Sequence, residues 1–241
     1  HGIGGIPFGP RLDESRANIA GAVQDWWNNP MWRHKDVAWA IGETILMAFL
    51  GTMGAAMIAL PLAFLAAKRF TPLVLLRAAT RRVFDFVRGV DALIWTVVLA
   101  RAFGPGPLTG ALAILVTDTG TFGKIFSEAL ENVDGKQIEG VASTGAKPLQ
   151  RYRFGVIPQV VPVFLSQVLY YLESNTRSAT VIGALGAGGI GLVLVETMRT
   201  SRDWENTLYI IVLTILVVFA MDALSGWRRR RLLRGREARE V

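Results

Sequence analysis

Apolar residues in this chain cluster into long charge-free runs instead of recurring at the spacing of a half-buried soluble helix. Between Glu43 and Lys68 no charged residue occurs over 24 positions. A helix rising about 1.5 Å per residue needs only ~20 residues to cross hydrocarbon. Similar runs separate Arg153 from Glu173, Arg177 from Glu196 and Glu205 from Asp222. The pattern predicts five membrane spans, near Ile41–Ala67, Asp85–Phe103, Leu108–Leu130, Phe154–Tyr171 and Thr207–Trp227. The second carries Asp91 and Arg101, which are expected to face the bundle interior or a watery path, where desolvation costs less. On the first span Gly51, Ala55, Ala59, Ala63 and Ala67 recur every four residues, a small-residue face that lets another helix approach closely. Pro61 predicts a kink there, and Gly104, Pro105, Gly106 and Pro107 predict a tight turn.

Residues 1–37 are polar and aromatic, and Trp26, Trp27, Trp32 and Trp39 lead into the first span. Indoles favour the headgroup zone, so an N-terminal interfacial amphipathic segment is expected. The expected organisation is an all-α polytopic membrane protein with that segment at 1–37, a transmembrane domain at 38–231 and a basic tail at 232–241. The first residue is His1, so the start is expected to be truncated or processed, and no cleavable signal peptide is visible.

A net charge of +7 and a pI near 10.2 could suggest nucleic acid, but the position of the cations argues otherwise. Arg228, Arg229, Arg230, Arg231, Arg234 and Arg236 follow the last apolar run directly, the juxtamembrane pattern of a cytoplasmic end. Counting back from a cytoplasmic tail puts Lys68–Arg82 and Lys136–Arg153 inside and Gly104–Pro107 and Glu173–Glu205 outside. Both inside loops are the basic ones. There is no cysteine, and the histidines are His1 and His34, so no catalytic residue and no metal site is expected in the bundle. The carboxylates Glu43, Asp118, Glu128 and Glu173 could relay protons, as in an ion-coupled secondary transporter, or could serve as interhelical polar contacts.

The loop Glu139, Gly140, Val141, Ala142, Ser143, Thr144, Gly145, continuing to Ile157 and Pro158, resembles the EAA loop of ABC importer permeases. Glu139, Gly145 and Pro158 match that pattern at the expected spacing. Gly140 and Val141 replace its two alanines, Gly155 stands where isoleucine is usual, and Ile157 replaces leucine. The resemblance implies that 136–153 is a cytoplasmic coupling loop whose short helix docks on an ATPase subunit. Small Ala142, Ser143 and Gly145 suit close packing, Glu139 suits a charge-assisted bond, and Pro158 is expected to separate the coupling segment from the next span.

A more specific string, Glu173, Ser174, Asn175, Thr176, Arg177, Ser178, Ala179, Thr180, is followed by Gly186, Ala187, Gly188, Gly189, Ile190, Gly191. Over roughly 41–231 the chain is similar to permeases of the phosphonate importer family. This implies the five-helix core of the methionine-importer-like, type I ABC importer permease fold in a bacterial inner membrane. It also implies a homodimer working with two ATPase subunits and an extracytoplasmic binding protein, with ATP and Mg on the ATPase and no cofactor in this chain. Glu173, Ser174, Asn175, Thr176, Arg177 and Ser178 become candidates for the translocation path or gate. Arg177 is the candidate anion contact, unless it pairs with Glu173 four residues earlier, and Arg101 stands in reserve. An amino-acid permease of the same fold is the alternative. The triple Gly186, Gly188, Gly191 also fits a dinucleotide fingerprint, but no strand–helix–strand unit surrounds it.

Overall fold

The computed structural model describes residues 34–200, 208–220 and 223. The chain divides into two compact units, 1–36 and 37–241. The expected interfacial segment at 1–37, with Trp26, Trp27 and Trp32, lies almost entirely outside the described residues, as does the arginine-rich tail.

Among the described residues all regular structure is helical. Helix α1 spans His34–Ala66 and contains Pro61. Its small-residue face packs as the spacing predicts: Ala55, Ala59, Ala63 and Ala67 are fully buried against Phe122, Phe126, Val160, Phe164 and Val168. Gly51 completes the row, since a methyl there would fall 2.7 Å from the Ile114 side chain. Close approach of this kind substitutes van der Waals contact for the hydrophobic drive that lipid does not supply.

The second predicted span proves to be a broken helix. Helix α2 runs Val74–Gly89 and α3 runs Ala92–Phe103, so the segment expected as the loop Lys68–Arg82 is largely helical. Val90 and Asp91 between them are extended, and the Asp91 carboxylate accepts the Leu93 N–H at 2.8 Å as the N-cap of α3. Twelve residues rise about 18 Å, too short to cross hydrocarbon alone. Asp91 and Arg101 do not face the interior of the chain: both are exposed, and the acid is a helix cap. Helix α2 lies on helix α4, Pro107–Glu131, where the Phe84 ring occupies the space that a side chain at Gly123 would fill, and backbone atoms of Phe84 and Arg88 stand where one at Gly120 would.

On the side where α1 ends, the C-termini of α1 and α4 are tied together through the middle of α2. Arg81 of α2 donates from Nε to the Ala66 carbonyl at 3.0 Å and from Nη2 to Glu131 Oε1 at 2.6 Å. Glu131 also accepts the Lys68 N–H, so orphan groups at the end of α1 find partners in α2 and α4.

The chain then forms α5, Gly135–Ser143, a single turn α6, Pro148–Arg151, and a π-helical turn, Tyr152–Val156, leading into α7, Ile157–Ile182. Pro158 therefore does not interrupt the chain's helical course. It sits in the first turn of α7, and the widened turn before it accommodates the missing N–H and the bulk of the ring. Helix α7 also extends eleven residues past the expected end at Tyr171, so Glu173–Thr180 is helical and not part of an external loop. A second π-helical turn, Gly183–Ala187, leads to α8, Gly189–Thr200, and α9 covers Leu208–Ala220. By length and composition, α1 and the continuous stretch Pro148–Ala187 are each able to cross a membrane.

Candidate functional site

The two motifs singled out in the sequence lie at opposite ends of α7. At its start, α5 is opened by Asp134, whose side chain accepts the Lys136 N–H at 2.9 Å. Glu139, Gly140, Ser143 and Thr144 are exposed on it, with Val141 and Ala142 half-buried. Gly145 ends the helix in the left-handed region, φ +76, and donates its N–H to the Ala142 carbonyl at 3.0 Å. A methyl on Gly145 would meet nothing within 4 Å, so this chain requires glycine there for its backbone conformation and not for close packing. Gln137, Gly140, Val141, Thr144, Gly145, Ala146, Gln150 and Phe154 line an open concavity on this surface. Leu149, Phe154 and Pro158 are exposed.

At the other end, the string from Glu173 to Thr180 divides between two faces of α7. Asn175 and Thr176 are buried, 8% and 2% exposed, with Asn175 turned toward α1 and α4. The Asn175 amide donates both its hydrogens, to Thr52 Oγ1 at 2.8 Å and to Asp118 Oδ2. This cluster joins α1, α4 and α7 between an apolar layer around Phe122 and Phe126 and another around Met47, Ile114 and Ile182. Glu173, Ser174 and Ser178 are half-buried, and the Arg177 side chain is 53% exposed. Arg177 Nη2 stands 4.0 Å from Glu173 Oε1, the i,i+4 pairing that the spacing allows. Arg177 also borders an open, mostly apolar hollow with Thr180, Val181, Thr214 and Phe219. Arg101, in the last turn of α3, is exposed as well.

Beyond this string the glycines bring backbone against backbone. Gly186, Gly188 and Gly189 have φ of +100, +84 and +68, and Gly183 and Gly191 cross so tightly that a methyl on Gly191 would fall on the Thr180 carbonyl. Two side chains of α1 cap α8 from outside: Gly189 N–H donates to Glu43 Oε2 at 3.1 Å and Ile190 N–H to Thr44 Oγ1 at 2.9 Å. Trp39 Nε1 holds the other Glu43 oxygen at 2.8 Å. Glu43 is thus an interhelical contact. Sequence reasoning missed Thr44 and Thr52, because a lone threonine in an apolar run carries no positional signal.

Comparison with known proteins agrees with this architecture. The family described as "Binding-protein-dependent transport system inner membrane component" matches residues 59–234. The phosphate-import permease PhnE of Mycolicibacterium smegmatis is 38% identical over 79% of this chain, which spans 36% of that protein's length. The putative phosphite transport permease HtxC of Stutzerimonas stutzeri is 36% identical over 80% of this chain and 68% of its own. Among solved structures, the inward-facing MetNI methionine ABC transporter superposes with a TM-score of 0.71 at 18% identity, covering 85% of this chain and 99% of the matched one. That last likeness speaks for the fold alone. With a matching domain across most of its length and the helical architecture to accompany it, the chain belongs to the family of binding-protein-dependent transport system inner membrane components.

Proposed function

We propose that the chain is the membrane-spanning permease subunit of an ABC importer for phosphonate or a related small phosphorus oxyanion, phosphite, hypophosphite or phosphate. The observation that carries the reading is the identity of 36–38% over about four-fifths of the chain to permeases named for phosphate import and phosphite transport. The working assembly contains a second copy of this chain, two ATPase subunits that bind ATP and Mg, and an extracytoplasmic binding protein that delivers substrate. The permease itself breaks no bond. ATP binding closes the ATPases, the motion enters through residues 136–153, and the dimer exchanges inward-open for outward-open states in the bacterial inner membrane.

The exposed face of α5 supports the coupling role, since Glu139, Gly140 and Gly145 are all available to a partner. Gly145→Trp combines a left-handed strain of about 1–2 kcal/mol with bulk at the docking face. The variant is expected to insert normally and to lose ATPase in a pull-down. Unchanged capture and unchanged transport would remove the coupling assignment from this loop.

Arg177 is the proposed anion contact, because stripping an oxyanion of water without partners costs several kcal/mol and a guanidinium matches phosphoryl oxygens with a planar fork. Its half-exposed position among Ser174 and Ser178 supports that role, and Glu173, 4.0 Å away, is the partner of the competing structural reading. Asn175 and Thr176 act indirectly in this reading, by holding that face of α7 in place. Glu173→Gln is expected to transport normally while Arg177→Lys weakens uptake roughly tenfold, the loss of a bidentate charged contact. Equal damage to assembly in both variants would favour the structural pair instead.

A further inference from the structure

The departure of this chain from the coupling-loop pattern at Gly155 has a structural counterpart. Gly155 is buried in the π-helical turn before α7, and a methyl there would come within 3.1 Å of Ile138 Cα and 3.2 Å of Ile138 Cγ1. Ile138 of α5 therefore presses directly on the backbone at the start of α7. Four residues further on, Gln159 reaches back to the root of α5. Its Oε1 accepts the Asp134 N–H at 3.0 Å, and its Nε2 donates to the Asp134 carbonyl at 3.4 Å and to the Gly155 carbonyl at 2.6 Å. One side chain thus bonds both backbone groups of the residue that caps α5. By contrast, the outward face of α5 at Glu139, Gly140 and Ser143 makes no such attachment to α7 among the described contacts.

We propose that Gln159, together with the Ile138–Gly155 contact, is the staple that makes α5 and α7 move as one rigid body, so that a push on α5 reaches the far end of α7. The proposal rests on the coupling role assigned to residues 136–153. Helix α7 continues without interruption from Ile157 to Ile182, and so carries displacement at its foot to Glu173–Thr180. A short amide held at three points transmits such a displacement without slack, whereas an apolar side chain at 159 leaves the Asp134 N–H and two carbonyls to find water or new partners. Gln159 is a positioning residue: it touches neither substrate nor nucleotide in this scheme.

The test uses the full complex with its ATPase and binding protein in proteoliposomes, with Gln159→Met, Gln159→Glu and Ile138→Ala. The readouts are assembly, basal ATP hydrolysis, and stimulation of hydrolysis by the substrate-loaded binding protein. Gln159→Met is expected to assemble and hydrolyse ATP at the basal rate while losing stimulation roughly tenfold, and Ile138→Ala is expected to lose stimulation measured against its own basal rate. Gln159→Glu keeps the acceptor for the Asp134 N–H and is expected to fall between them and the unaltered protein. Full stimulation in Gln159→Met, or failure of that variant to assemble, would overturn the staple. Absence of stimulation in the unaltered complex would instead count against the coupling role itself.

Discussion

Asn175→Leu is expected to destabilise the folded permease by about 3 kcal/mol and to lower the fraction recovered as monodisperse protein after mild heating in detergent. The Asn175 amide is the donor that Thr52 Oγ1 and Asp118 Oδ2 share, and both acceptors lie in layers closed to water, with Thr52 fully buried and Asp118 5% exposed. Leucine fills a similar volume but leaves the carboxylate and the hydroxyl without that partner, and a buried polar group stripped of its bond costs more than the bond was worth. Thr52→Val removes only one neutral acceptor and is expected to cost about 1 kcal/mol. A fluorescence-detected unfolding series in detergent separates the two. Equal midpoints for Asn175→Leu and the unaltered protein would show that the cluster contributes nothing to holding α1, α4 and α7 together.

Gly191→Ala is expected to be at least as damaging, although it adds a single methyl. The added carbon would fall on the Thr180 carbonyl oxygen and 2.6 Å from the Ala184 nitrogen, both backbone atoms of the facing segment. No rotamer change relieves a clash between backbones, so α8 must shift away from α7 at a cost of about 3 kcal/mol. The shift also draws Gly189 and Ile190 from Glu43 and Thr44, which cap α8 across helices. Gly42→Ala is the control. A methyl there meets nothing within 4 Å, and alanine favours helix over glycine, so that variant is expected to be neutral or slightly stabilising. Comparable loss of folded protein in the two variants would contradict the close-crossing account.

Much of the bundle was legible because bilayer thickness imposes a length on every span and small-residue periodicity imposes a face. The row Gly51, Ala55, Ala59, Ala63, Ala67 is buried as its spacing implies. A short helix at the loop motif, α5, was legible from motif spacing. What the sequence concealed were discontinuities whose causes are local. Asp91 read as an ionisable group inside a span, whereas it caps a second helix begun after Gly89. Glu173 and Arg177 read as the charged end of a span, yet they sit within α7 because the helix can place one charged face outward and bury Asn175 and Thr176 on the other. Pro158 read as a boundary, because no local pattern announces the π-helical turn that precedes and absorbs it.

The partners of buried polar groups were concealed for a related reason. Thr52, Asp118 and Asn175 are separated by 57 residues or more along the chain, and no local pattern in one helix announces a bond to another. The ends of helices behave similarly: Arg81 closes α1 from α2, and Glu43 opens α8 from α1. Each of these side chains has an ordinary local reading as a basic loop residue or a stray charge. Their roles emerge only once orphan backbone groups at the facing terminus are counted.

The substrate class is tested most directly by uptake. With the ATPase subunits and the binding protein reconstituted beside this permease in proteoliposomes, accumulation of radiolabelled phosphite, methylphosphonate and methionine can be compared with and without ATP. ATP-dependent accumulation of phosphite or methylphosphonate, with methionine left at the background, is the predicted result. ATP-dependent accumulation of methionine with no response to either phosphorus oxyanion would contradict it.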